Sequence, residues 1–309
     1  MTAETLDSVI GRAEFAAGLR FGLAAVAVGL AVAVARREAR PLPVAGLLFA
    51  AAFAVALGRT LGLPGGLALG LVVLGGAGMA GRPRVALLLA ILGAFLLVSG
   101  SGVALEPWAR LLVGTAIVLG GWLSADLDAR WRRPGLGPVL LAISVAGVYA
   151  TVPDTERALV ALGAALPLAF LGWPWPLASL GRAGAFAATG ALLWVVAAGS
   201  GGRGGAVVAG VGCLGLLAAE PAARLLDPGR ESGLEALPGG GRAALAVLLH
   251  LGLVYGASRV AGLRPTLAGT VAVVLLELAA AVALALVATA TRRRAAGRRP
   301  PGVGGAHSP

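Results

Sequence analysis

Two ionisable residues lie deep in otherwise apolar sequence, and they are the first candidates for chemistry. Glu277 lies about midway between Pro265 and Arg292 in the last apolar run, and His250 lies in the run before it. An ionised group is costly inside a membrane, and the residues that occur there usually bind ions, protons or substrate. We therefore interpret Glu277 and His250 as candidates for a proton relay or a substrate anchor.

The spacing of these two residues from the turn between their runs predicts that they lie at one level. His250 precedes Leu263 by 13 residues, and Glu277 follows it by 14. At about 1.5 Å per residue, two antiparallel helices would carry the side chains at nearly the same depth. Three arrangements stay open: a functional pair, a hydrogen bond that only fixes the two helices together, and two side chains that do not face each other.

The two tyrosines of the chain occupy matching positions in similar segments. Residues 137–152 (GPVLLAISVAGVYATV) are similar to residues 243–260 (AALAVLLHLGLVYGASRV), and this similarity aligns Tyr149 with Tyr255. We add both side chains to the candidates for binding substrate or a proton.

Asp126 and Asp128 have the spacing of a metal-binding carboxylate pair. Residues two apart on a helix point to different faces, however, and Arg130, Arg132 and Arg133 would compete for the carboxylates. We therefore expect a solvated loop on the cytoplasmic side at this position, and no metal site.

Conventional catalytic and cofactor-binding motifs do not occur in the sequence. It has no HExxH, GxSxG or P-loop pattern, and its single cysteine, Cys213, excludes an internal disulfide and a cysteine-based metal cluster. The sequence therefore predicts no cofactor and no metal. It favours a protein that is not an enzyme without deciding the question.

The composition is that of a chain embedded in lipid. Hydrophobic residues make up 58% of the sequence and charged residues 13%, and the mean hydropathy is +0.91. A soluble protein of this composition would lack the polar residues that cover a surface. Because a helix satisfies its own backbone hydrogen bonds in hydrocarbon, the expected fold class is all-α, a polytopic transmembrane helical bundle.

The basic residues favour a membrane setting over nucleic acid. All 25 are arginine, they give a net charge of +11, and they are dispersed between the apolar runs instead of gathered on one face. A chain without lysine and rich in Ala, Gly and Arg is typical of a bacterium with GC-rich DNA. We therefore expect the bacterial cytoplasmic (inner) membrane, with the lipid bilayer and other membrane proteins as partners and no nucleic acid.

Apolar runs bounded by charge, proline or glycine predict about eleven spans, within a range of roughly 10 to 12. They cover residues 15–35, 43–58, 63–80, 85–105, 111–125, 136–152, 158–173, 183–198, 205–219, 243–260 and 266–290. Two of the short runs, 43–58 and 205–219, are candidates for half-helices. The segment 151–154 (TVPD) has the pattern of a helix N-terminal cap for the run that follows it.

The arginines divide unequally between the two ends of these spans. Seventeen of the 25 lie in the odd-numbered connections or the C-terminal tail: Arg36, Arg37, Arg40, Arg82, Arg84, Arg130, Arg132, Arg133, Arg182, Arg224, Arg230, Arg242, Arg292, Arg293, Arg294, Arg298 and Arg299. The positive-inside rule therefore predicts an N-out/C-in orientation. Residues 1–14 would form an external or interfacial segment, and the tail 291–309 a disordered cytoplasmic segment attracted to anionic lipid headgroups.

Similar segments recur along the chain and predict an internal repeat. ARREAR (35–40), ADLDAR (125–130) and AEPAAR (219–224) each close an apolar run. The predicted units are 15–80, 85–175 and 183–290, with three, four and four spans (3+4+4). An even number of spans per unit makes successive units parallel.

Three functions are consistent with this architecture. The first is an integral membrane transporter, or a lipid or small-molecule flippase, with a midplane site between repeat units. The alternative is a non-catalytic membrane scaffold or accessory subunit of a cell-envelope assembly complex. The third is an intramembrane transferase with a cytoplasmic pocket built from Asp126, Asp128, Glu220 and arginines. A transporter requires a polar cavity at the interface between units, reached by Glu277 and His250, whereas a scaffold predicts a closed apolar interior and a conspicuous lateral groove.

Overall fold

The computed structural model describes residues 9–35, 44–130, 135–173, 177–219 and 239–263, together with nine positions between 271 and 283. Helices make up 86% of the described residues, which contain no strand. The predicted all-α class is therefore confirmed.

The helices follow the predicted apolar runs. In chain order they are α1 (Ala13–Ala35), α2 (Ala45–Ala56), α3 (Gly58–Gly78), α4 (Pro83–Ser99), α5 (Pro107–Arg130), α6 (Leu136–Thr151), α7 (Thr155–Gly172), α8 (Gly181–Gly199), α9 (Gly204–Gly212) and α10 (Gly239–Leu263). The predicted run 205–219 is divided, because α9 ends at Gly212 and a turn separates it from the helical residues 216–219. The predicted run 266–290 lies largely outside the described residues.

Local sequence explains where two of these helices begin. α4 begins at Pro83, because the first turn of a helix does not need the amide hydrogen that proline lacks. α7 follows Asp154, whose carboxylate accepts a hydrogen bond from the amide of Glu156 at 3.2 Å. The predicted cap at 151–154 is thus confirmed, with Asp154 as the capping residue.

Among the described residues, five helices are long and apolar enough to cross a membrane. They are α1, α3, residues 107–129 of α5, α7 and α8. α2, α4, α6 and residues 243–259 of α10 are apolar but shorter. This is the pattern of a membrane-embedded chain, and it supports five of the predicted spans by length and composition.

α8 lies at the centre of the bundle. All of its residues from 184 to 199 are buried, and it packs mainly against α2, α3 and α5. Its Trp194 ring meets Phe53 of α2 edge-on, with 5.8 Å between the ring centroids. The outer surface is formed by helices such as α1, of which few residues are buried.

Glycines allow the backbones of neighbouring helices to touch. Gly46 of α2 lies against Gly184 of α8, and a Cβ atom on Gly46 would overlap the Gly184 backbone. Gly18 of α1 lies against the backbone of Val160 of α7 in the same way. Such contacts replace side-chain interdigitation with close backbone packing, as is common between helices in membranes.

The helix ends gather at two opposite faces of the bundle. Face A contains residues 44–45, 79–83, 128–130, 135–137, 172–173 and 177–184, and face B contains residues 99–107, 151–155 and 199–204. At face A the amide of Ala45 donates to the carbonyl of Ser179 at 3.0 Å, and at face B the amide of Asp154 donates to the carbonyl of Gly199 at 3.1 Å. From residue 79 to residue 204, successive described connections lie at face A and face B in turn. This matches the sequence prediction, in which odd-numbered connections lie on one side and even-numbered connections on the other.

The predicted repeat units contribute helices to one common bundle. The most extensive packing joins α1 to α7, α3 to α4 and α5 to α8, and each pair combines helices from two different predicted units. The units therefore do not fold apart as separate layers in the described part of the chain. Their parallel 3+4+4 arrangement and the N-out/C-in orientation stay predictions.

Gly46→Ala should destabilise the fold, because the added methyl group would overlap the backbone of Gly184. Overpacking of this kind costs about 1–3 kcal/mol of unfolding free energy, which is measurable as a lower midpoint of thermal unfolding in detergent. Gly70→Ala is the matched control, since a Cβ atom at Gly70 meets nothing within 4 Å. Equal midpoints for the two variants would contradict the close contact between α2 and α8.

Candidate functional site

His250 is fully buried and bonded through both ring nitrogens. Nδ1 accepts a hydrogen bond from the amide of Leu216 at 3.0 Å. Nε2 lies 2.9 Å from the carbonyl oxygen of Leu140 and 3.1 Å from the hydroxyl of Ser144. Because an amide can only donate and a carbonyl can only accept, these contacts select the neutral ring with its proton on Nε2.

The break after α9 explains why a histidine is needed there. The chain turns at Cys213–Gly215, where Gly215 has a φ of +48°, and becomes helical again at Leu216. The first amides of a helical segment have no partner within it. His250 of α10 binds the Leu216 amide and also joins the segment to α6, so its described contacts are those of a structural residue.

The other predicted site residues have separate surroundings. Tyr149 is half-buried and packs against apolar core residues. Tyr255 is 62% exposed, and the guanidinium of Arg259 lies 5.2 Å from its ring centroid. Glu277 lies outside the described residues, so its pairing with His250 and the roles of all four residues in binding substrate or a proton stay predictions.

Charged side chains from two neighbouring helices hold the two ends of α8. At its beginning, Asp128 of α5 accepts a hydrogen bond from the amide of Gly181 at 2.8 Å. At its end, Arg157 of α7 donates to the carbonyl of Ala198 at 3.2 Å and pairs with Asp154 at 2.6 Å. A carboxylate at the N-terminus and a guanidinium at the C-terminus both match the helix dipole. Sequence reasoning missed both contacts.

The expectation of a solvated loop around Asp126 and Asp128 is wrong. Both residues lie in the last turns of α5, and Asp128 is only 2% exposed because it packs under the beginning of α8. Their predicted divergence to different faces of a helix is confirmed, since Asp126 lines a cavity and Asp128 is buried. Within the described residues, no group of three His, Cys, Asp or Glu side chains could hold a metal ion.

A cavity of about 240 Å³ opens at face A between the ends of α3 and α5 and the beginnings of α4 and α8. Its walls include Met79, Pro83, Trp122, Asp126, Ala129, Arg182 and Phe186. We call it the face A pocket. Along α5 the wall changes from Asp126 to Trp122 within one helical turn, and along α8 from Arg182 to Phe186, a distance of about 6 Å. The pocket wall is therefore charged near the helix ends at face A, the part that we call the mouth, and aromatic one turn further from face A, the part that we call the floor.

The surroundings of the mouth are basic. Arg182 is exposed, and Arg82 and Arg84, which flank Pro83 in the chain, are exposed as well. Asp126 is half-buried and is the carboxylate of the pocket wall. The described mouth thus combines several guanidinium groups with one carboxylate.

An apolar stripe leads from the pocket along the outer side of α5. Trp122 is 46% exposed and Leu119 is 51% exposed, and Leu111 and Trp108 continue the stripe at helical spacing. The sequence predicts a pocket with Asp126 only for a transferase, together with Asp128, Glu220 and arginines. In the structure Asp126 and Arg182 line one pocket, Asp128 is buried beside it, and Glu220 lies outside the described residues. In the sequence, the helical spacing of the large apolar residues Trp108, Leu111, Leu119 and Trp122 was the signal that could have located this side of α5.

His250→Leu should lower the thermal stability of the protein. The substitution leaves the Leu216 amide without its partner, at a cost of about 1–3 kcal/mol, and removes the second hydrogen bond to the Leu140 carbonyl, which keeps its bond within α6. Ser258→Ala, on the same helix, removes only an exposed local hydrogen bond to Tyr255 and should leave the unfolding midpoint in detergent unchanged. If His250→Leu unfolds at the normal temperature but loses activity, His250 acts as a proton relay or substrate anchor and not as a structural residue.

Asp128→Ala should destabilise the protein while Asp126→Ala should have little effect on its stability. The first substitution deprives the half-buried Gly181 amide of its acceptor, at a cost of about 1–3 kcal/mol. The second, two residues earlier on the same helix, removes a half-buried group from a cavity wall. Unfolding midpoints in detergent measure both, and the reverse order would contradict the role given to Asp128.

No protein-family model, curated protein or solved structure matches this chain. Function therefore has to be inferred from its own geometry. The features that bear on it are the membrane-length helices, the buried histidine and the face A pocket.

Proposed function

We propose that this chain is a multi-pass protein of a bacterial cytoplasmic membrane that moves an amphiphile, a lipid or a lipid-like small molecule, across the bilayer. The face A pocket is the observation that carries the proposal. It joins a charged mouth to an aromatic floor at the end of two membrane-length helices, α5 and α8. A molecule with a polar head and an apolar body is complementary to such a site.

The size of the pocket fits a headgroup better than a whole ligand. Pockets that enclose a drug-sized molecule measure about 300–1,000 Å³. At about 240 Å³ the face A pocket holds the polar part of an amphiphile, while the apolar part lies along the stripe on α5. This geometry supports loading from within the bilayer.

The arginine distribution supports a cytoplasmic location for face A. Its connections are the odd-numbered ones, in which arginines predominate in the sequence. Loading would then occur from the cytoplasmic leaflet. This replaces the expected midplane site as the point of first contact, because His250 is engaged by Leu216, Leu140 and Ser144.

A second candidate, a membrane scaffold or accessory subunit, is favoured by the packing of α8. Sixteen consecutive residues of this helix, 184–199, are buried among apolar neighbours. A closed interior of this kind is what a scaffold requires. The two functions differ in a measurable property, which is whether the purified protein moves lipid.

Purified full-length protein in liposomes should accelerate the passage of fluorescently labelled lipid between leaflets, measured by chemical quenching from outside. Arg182→Gln should slow this passage by about tenfold, because a charge-assisted contact at the pocket mouth is lost. Arg110→Gln is the matched control, since Arg110 is also exposed in the first turn of a helix but lies near face B.

Three results would contradict the proposal. Lipid movement equal to that of protein-free liposomes would favour the scaffold. Equal rates of lipid passage for wild type and Arg182→Gln would show that the pocket is not on the transport path. Slowing by Arg110→Gln to the same degree would indicate an unspecific effect of lost charge.

A further inference from the structure

We propose that the face A pocket binds the headgroup of a zwitterionic phospholipid with a primary ammonium group. Arg182 contacts the phosphate and Asp126 contacts the ammonium. The inference rests on the proposed function in one respect, that the pocket is where an amphiphile is loaded. The juxtaposition of one guanidinium and one carboxylate in a headgroup-sized cavity carries it.

Arg182 supplies the phosphate contact. A guanidinium binds phosphate oxygens through two parallel N–H donors, and the Arg182 side chain is exposed at the pocket mouth. The amide of Gly181 at the beginning of α8 is already bound by Asp128. An anion in the pocket therefore depends on the guanidinium and receives no hydrogen bond from that amide.

Asp126 favours a ligand that carries a positive charge in addition to its phosphate. A purely anionic headgroup held by Arg182 brings no positively charged donor to the Asp126 carboxylate on the wall of the same cavity. A headgroup with an ammonium beside its phosphate satisfies both walls. A carboxylate has about four acceptor sites, so Asp126 can hold an ammonium in addition to another partner. Trp122, one turn away on α5, also lines the pocket, and an indole attracts cations.

A primary ammonium fits this wall better than a quaternary one. It has three N–H donors for the Asp126 carboxylate, whereas a trimethylated nitrogen has none. We therefore infer an ethanolamine-type headgroup in preference to a choline-type headgroup.

The apolar stripe of α5 identifies the ligand as a lipid and not as a soluble headgroup. Trp122 belongs both to the pocket wall and to the stripe, and Leu119 continues it one turn further along the helix. An acyl chain that leaves the pocket can lie on this surface without meeting a charged residue before Arg110. A soluble phosphoamine would leave the stripe unused.

The test is native mass spectrometry of the full-length protein in detergent. The protein is offered an equimolar mixture of ethanolamine, glycerol and choline phospholipids with identical acyl chains. Wild type should retain the ethanolamine lipid over each competitor by at least about fivefold, as expected for one charge-assisted hydrogen bond. Asp126→Asn should abolish the preference, Arg182→Gln should reduce retention of all three lipids, and Arg110→Gln should change neither.

Equal retention of the three lipids by wild type, or a preference for the glycerol lipid, would overturn the inference. So would a preference that persists in Asp126→Asn. If Asp126→Asn fails to fold, Trp122→Leu tests the same wall and should lower the retention of the ethanolamine lipid relative to the glycerol lipid. Soluble glycerophosphoethanolamine is the control for a free headgroup. If it displaced the lipid at equal concentration, the inference that the ligand is a lipid would be overturned.

The inference and the proposed function fail in different ways. Selective binding of the ethanolamine lipid without lipid movement in liposomes would overturn the proposed function alone. Movement of lipid without headgroup selectivity in binding would overturn this inference alone.

Discussion

The burial of α8 is the constraint on which the rest of the bundle depends. A helix surrounded by other helices has no lipid or water at its sides, so neighbours must approach it closely and satisfy its terminal backbone groups. The first requirement explains the glycine contact between Gly46 and Gly184. The second explains why Asp128 and Arg157, from different helices, bind opposite ends of α8.

The face A pocket is a consequence of the same arrangement. α5 and α8 run antiparallel, so that the end of α5 lies beside the beginning of α8. Asp128 points inward and binds Gly181, which leaves Asp126, two residues earlier, on the wall of the cavity beside Arg182. The element that stabilises the centre of the bundle thus also positions the charges at its edge.

Sequence patterns predicted individual helices well and contacts between them poorly. The predicted runs 136–152 and 183–198 correspond closely to Leu136–Thr151 and Gly181–Gly199, because apolar length and local breakers determine such segments. The burial of Asp128 and the partners of His250 depend on segments far apart in the chain, which no local pattern reports. The same limit applies to the pocket, whose walls come from four helices.

The order of the helices along the chain has a consequence for biosynthesis. α1, which is mostly exposed, is the most apolar of the five membrane-length helices, whereas α8 is less apolar and the most buried. A less apolar helix enters a membrane less readily on its own. Its principal neighbours α2, α3 and α5 are all synthesised before it. The nascent chain can therefore assemble a receptive environment before the helix that most requires one leaves the ribosome.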